Sequence, residues 1–287
     1  MTSRSKRIAP DKRKIAVLIY LTACLQVIGF TYQALRGSTY FAQYLALRTP
    51  LSGGVISIVN NIYLGLMILG LVWAFFRWSP RPFYLMGTLW LINVVFRTVL
   101  GAGQMPAFAL ATECVSYFWF LVIGYALRNA RTLDVEIGLP SVRLLLRFGL
   151  ALSFITAGLI SLLSDSLSQE LTAAAQSAMA YLPHQDIYVT KLLIVAGSLN
   201  VVLGFLVLVR PTRTILVYMA FWGILTALAK VAIAPLDGSF ELLLRAPHFM
   251  LPFLIMVIEG QRSLRNPIRR VYHKTLRRFS FLQPPWA

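Results

Sequence analysis

The chain has 287 residues, 58% of them hydrophobic and only 13% charged, and its Lys and Arg outnumber Asp and Glu 27 to 10. Several apolar runs reach the ~20 residues that cross ~30 Å of hydrocarbon, which places the chain in the all-α, multi-pass membrane class. The formal charge of +17 is divided among short segments between those runs, as the positive-inside rule requires, and not gathered into the basic patch that nucleic-acid binding needs.

In chain order, Met1–Lys14 reads as a basic cytoplasmic tail, and Ile15–Leu35 as the first span. The mixed segment Arg36–Gly54 carries Tyr40, Phe41 and Tyr44, which suit an outer-interface helix or re-entrant cap. Val55–Phe76 is the second span, and the prolines of Trp78-Ser79-Pro80-Arg81-Pro82 reverse the chain into the third, Phe83–Gly101. Met105–Leu127 returns as the fourth. After a polar linker over 132–142, Leu144–Leu163 forms the fifth span, followed by an outer segment, Ser164–Asp186, that holds three acids and no Lys or Arg. Ile187–Val209 and Thr214–Ala234 are the sixth and seventh spans. The eighth covers roughly Phe240–Ile258, although Glu241, Arg245, Pro247, His248 and Pro252 interrupt it. A basic tail over 262–287 closes the chain and suits anionic lipid.

This reading puts most of the 27 cations on one side, so both termini are cytoplasmic and the protein belongs in the inner (plasma) membrane. It also exposes an internal repeat. Sliding the sequence by 133 positions lays Arg77 on Arg210, Met86 on Met219, Asn93 on Thr226 and Arg97 on Lys230; Gly29 and Gly158 match at 129. Four spans per half give two parallel four-helix bundles, 15–131 and 143–261, related about an axis along the membrane normal.

A cation at the end of an apolar run costs at least ~2.5–3.5 kcal/mol to insert, so Arg97 and Lys230 are site candidates. Asn93 lies one turn from Arg97 on the same face, as Thr226 does from Lys230. Glu113 is at a depth to meet Arg97, Glu241 is available to Lys230, and His248 falls near the position matching Glu113. Arg97, Lys230, Asn93, Glu113, Thr226 and His248 are therefore expected to line an outward-opening polar pocket that holds an anion or a quinone head group. The competing reading treats the charges as ion pairs that lock helices together. Asn60 and Asn61 are candidates for interhelical hydrogen bonds, Glu259 for a pair with Arg262, and the run Tyr117-Phe118-Trp119-Phe120 for a lipid-facing packing surface. Cys24 and Cys114 lack CxxC or Cys/His spacing, so neither a disulfide nor a metal site is expected. No Walker loop, GxGxxG, HExxH or nucleophile elbow is present to suggest an independent catalytic centre.

The unit beginning LRFGLALSFITAGLISL, with a long outer insertion, two helices joined by a tight basic turn and a fourth helix returning inward, resembles the DoxX/DoxD-like membrane family in two tandem copies. The resemblance implies an auxiliary, quinone-interacting subunit of a membrane redox system, with other redox subunits as partners, quinone as the associated cofactor and no covalently bound group. A small-solute transporter or channel and a membrane assembly scaffold are the alternatives.

Overall fold

The computed structural model describes residues 12–77, 79–101, 108–128, 140–163, 185–233 and 235–263. Most of both basic tails (1–11 and 264–287), the linker over 129–139 and the acidic segment over 164–184 lie outside them. The described residues are helical, with no strand among them.

Helix α1 (Lys12–Gly37) is followed by the short α2 (Tyr40–Arg48), then α3 (Gly53–Phe76), α4 (Pro80–Val99), a single turn α5 (Ala109–Thr112) and α6 (Cys114–Arg128). After the linker come α7 (Pro140–Leu163), α8 (Gln185–Val209), α9 (Arg213–Ile233), α10 (Pro235–Leu244) and α11 (Ala246–Ser263). Seven stretches are long and apolar enough to cross a membrane, and α6 is a shorter apolar helix. The expected fourth span is where the count departs from eight. The chain breaks at Glu113, leaving α6 with 15 residues, short of the ~20 that a straight crossing takes.

The helices pack in series around a ring, α1 on α3, α3 on α4, α4 on α6, α6 on α7, α7 on α8, α8 on α9 and α9 on α11, and α11 closes back onto α1 while also packing on α6 and α7. Helix α10 lies between α9 and α1. The core at the centre of the ring includes Phe30, Met67, Phe83, Met86, Trp119, Phe120, Leu146 and Leu216, all nearly inaccessible. The aromatic run on α6 is thus core at its second half, where Trp119 is 1% and Phe120 0% exposed, and not a lipid-facing surface. Its indole N–H donates to Gln26 Oε1 at 2.9 Å, and Gln26 Nε2 donates to the Ser116 carbonyl at 2.7 Å, which fixes α1 against α6 with a satisfied polar pair.

Close approach is bought with small residues at two seams. On α7, a Cβ at Gly158 would come within 2.5 Å of the Gly197 carbonyl oxygen on α8, so these backbones touch as small-residue membrane interfaces do. Gly29 on α1 instead presses on α10, where an added Cβ would lie 2.6 Å from the Phe240 carbonyl oxygen. The two matched glycines therefore serve different contacts.

The interface helix α2 forms as the aromatic pattern suggests, and two membrane asparagines hold it. Asn60 Oδ1 accepts from the Thr39 N–H at 2.9 Å, and Asn93 Oδ1 accepts from the Tyr40 N–H at 2.9 Å. Thr39 caps the helix by accepting from the Ala42 N–H at 3.2 Å. Asn61 points away and is exposed.

Candidate functional site

The two helix breaks build the site. At the first, the Glu113 N–H donates to the Ala109 carbonyl at 2.9 Å, and the Ser116 N–H to the Glu113 carbonyl at 2.8 Å. At the second, the Arg245 N–H donates to the Glu241 carbonyl at 3.0 Å, and the His248 N–H to the Arg245 carbonyl at 2.9 Å. The patterns coincide at an offset of 132 residues, so Glu113 matches Arg245 and Ser116 matches His248.

The causes differ. In the first break the rung that would join the Val115 N–H to the Ala111 carbonyl is occupied by Ser153 from α7. Its Oγ accepts from the Val115 N–H at 2.9 Å and donates to the Ala111 carbonyl at 3.4 Å. A side chain inserted into the i→i−4 ladder interrupts a helix in this way. In the second break the residue at the matching rung is Pro247, which has no N–H to give.

Around these breaks lies a cavity of about 190 Å³. Glu113, Arg245 and His248 face it from the breaks, and Ser153 and Asn200 from α7 and α8. Phe154 and Ile160 of α7 and Trp222 of α9 supply apolar wall, while Gly223 and Thr226 of α9 complete it. Gly223 lies on the cavity wall where α9 approaches the α11 backbone closely. A Cβ there would sit 3.0 Å from the His248 carbonyl oxygen, and the position 133 residues earlier holds Trp90, buried and packed on Phe30 with ring centroids 4.7 Å apart.

Most polar groups at the cavity are already engaged. Glu113 Oε1 accepts from Arg97 Nη1 at 3.0 Å and Oε2 from the Ser116 hydroxyl at 3.0 Å. Thr226 donates to the Trp222 carbonyl at 3.0 Å, and Thr112 to the Phe108 carbonyl at 3.0 Å. Three groups stand apart. Among the described residues Arg245 pairs with Glu241, at 3.8 Å, and that carboxylate also pairs with Lys230. Among the described residues, the buried Asn200 Oδ1 has no hydrogen-bond partner, and His248 Nδ1 has none at bonding geometry although the ring lies within reach of the Thr112 and Arg245 backbone. Buried polar atoms are normally paired, so the Asn200 oxygen marks an incomplete set of contacts.

Of the residues expected at the pocket, Glu113, Thr226 and His248 line it. Arg97 stands behind Glu113 as its ion-pair partner, with side chains 32% and 22% exposed, and its guanidinium also lies 5.7 Å from the Tyr40 ring. Lys230 pairs with Glu241 outside the cavity wall. Asn93 does not belong to the cavity: its carbonyl oxygen is committed to α2. Ser153, Asn200 and Arg245 were not singled out as site residues. Asn200 had a readable signal, an amide inside an apolar run. Ser153 had none, because one serine in a span carries no indication of what it will interrupt.

Away from the cavity, Arg147 and Glu259 form an ion pair between the start of α7 and the end of α11; the side chain of Arg262, expected to meet Glu259, lies outside the described residues. Cys24 and Cys114 are free thiols, and no cluster of His, Cys, Asp and Glu suited to a metal ion occurs among the described residues. The chain matches no family model, no curated protein and no solved structure.

Proposed function

We propose that this multi-pass membrane protein binds a small polar solute in the cavity between the two helix breaks and acts as a transporter or channel for it. The observation that carries the reading is the orphaned buried oxygen of Asn200 beside the weakly compensated Arg245. Discontinuous helices at membrane depth are a recurring way to present polar backbone and charged side chains to a solute, since the interrupted ladder is tolerated only where it lines a cavity or is buried in protein. The volume of about 190 Å³ is below the ~300–1,000 Å³ of pockets for drug-sized ligands, so the solute is small.

The matched breaks, and the packing in which α6 meets α7 as α11 meets α1, support a parallel repeat, while the cations crowded into the two terminal segments support cytoplasmic termini. Reconstituted liposomes supply the direct test. Flux of a small organic anion in wild type that is lost in Arg245→Gln supports the reading, and equal flux through both would end it.

A second reading follows the DoxX/DoxD-like resemblance and puts a quinone head group in the same cavity, within a membrane redox assembly. The aromatic walls Phe154 and Trp222 favour it. Quinone-dependent electron transfer that disappears in Arg245→Gln, without solute flux in wild type, would select this reading.

A further inference from the structure

We infer that the solute is a small hydroxy acid, whose carboxylate is held by Arg245 and whose hydroxyl donates to Asn200. The inference deepens the solute-binding reading and rests on it.

The hydrogen-bond inventory of the cavity sets the chemistry. Among the described residues, three cations, Arg97, Lys230 and Arg245, are grouped with two carboxylates, Glu113 and Glu241. Glu113 is committed to Arg97 and Ser116, and Glu241 is shared between Lys230 and a more distant Arg245. The guanidinium of Arg245, whose ion pair with Glu241 is the long one at 3.8 Å, is the least compensated cation at the cavity, and its planar fork suits a carboxylate.

Asn200 imposes the second condition. It is 3% exposed, and its carbonyl oxygen lacks a donor. The hydroxyls nearby point their protons elsewhere: Ser153 to Ala111, Ser161 to Ala157 and Thr226 to Trp222. Away from Arg245 the cavity therefore presents the Asn200 oxygen as an unpaired acceptor, which an occupant satisfies by bringing a donor. An ammonium group would meet this need only beside an uncommitted carboxylate, and Glu113 is not one; a neutral hydroxyl meets it without added charge. A simple fatty acid, an inorganic dianion or an oxidised quinone brings no such donor and would leave the Asn200 oxygen unpaired.

The test uses the purified full chain in nanodiscs and four probes: lactate, propionate, sulfate and menadione. Affinities come from ligand-induced shifts in thermal unfolding. Lactate is expected to bind about tenfold more tightly than propionate, as one hydrogen bond to a buried unpartnered group provides. Asn200→Leu should erase that difference by lowering lactate affinity alone, and Asn200→Ala should do the same. Arg245→Gln should remove binding of both acids.

Equal affinity for lactate and propionate in wild type, or a lactate preference that survives in both Asn200 variants, overturns the inference. Binding of sulfate or menadione with no response to lactate overturns it too, while leaving a solute cavity in place. No response to any of the four probes removes this inference together with the solute-binding reading.

Discussion

Val115 and Pro247, 132 positions apart, stand at the same rung of two broken helices, one with its amide taken by Ser153 and the other with no amide at all. The two solutions have different consequences. A proline break is fixed by the covalent chain, whereas the Val115 break depends on a hydroxyl from α7. It therefore ties the position of Glu113 to the packing of α7 against α5 and α6.

Ser153→Val should remove the inserted hydroxyl and leave the Val115 N–H and Ala111 carbonyl either unpaired or rejoined in a straighter helix. Unsatisfied groups of this kind cost about 1–3 kcal/mol. The expected outcome is a lower Tm together with weaker solute binding, because Glu113 moves with the break. A variant with wild-type Tm and binding would show that Ser153 does not hold the break.

The Arg97–Glu113 pair separates structural from binding roles. Removing one member of a buried pair costs ~3–5 kcal/mol, and the partial exposure of these side chains puts the effect at the lower end. Arg97→Leu and Glu113→Leu should each lower Tm, and the double variant should recover much of the loss. Binding measured on the same three proteins should stay intact in the double variant if the pair only braces the cavity; lost binding with recovered Tm would give Glu113 a direct part in holding the solute.

Gly223→Leu should close the cavity. The glycine already lies against the His248 backbone, so a larger side chain must either project into the open volume or push α9 from α11, at an overpacking cost of about 1–3 kcal/mol. Loss of solute binding with a moderate fall in Tm is expected. Retained affinity would place the solute elsewhere.

Asn93→Leu offers the opposite signature. It unties the Tyr40 N–H at the start of α2, with a stability loss of about 1–3 kcal/mol from the orphaned amide, yet leaves the cavity wall intact. Tm should fall and solute affinity should not change; a specific loss of affinity would restore Asn93 to the binding site.

Membrane orientation can be read by labelling. In a background with Cys24→Ala and Cys114→Ala, a cysteine replacing the exposed Leu236 should react with an impermeant maleimide added outside intact cells. One replacing Thr212, in the turn between α8 and α9, should react only after lysis. The reverse pattern would invert the proposed topology.

Sequence alone determined the all-helical membrane class, because hydrophobicity of this extent over runs of span length has few other folded solutions. It also picked out Arg97 with Glu113 and Lys230 with Glu241, since a cation on an apolar helix needs a nearby carboxylate and the turns limit which one is within reach. Pro247 gave a visible warning of the second break. Tertiary structure decided the rest. Ser153 interrupts a helix 38 residues away from it in the chain, Asn93 serves α2 rather than the cavity, and Gly223 lets α9 lie against the His248 backbone. These outcomes depend on which helix faces are brought together. Periodicity and composition describe each span by itself, while a cavity is defined by the side chains that several spans fail to place in the same volume.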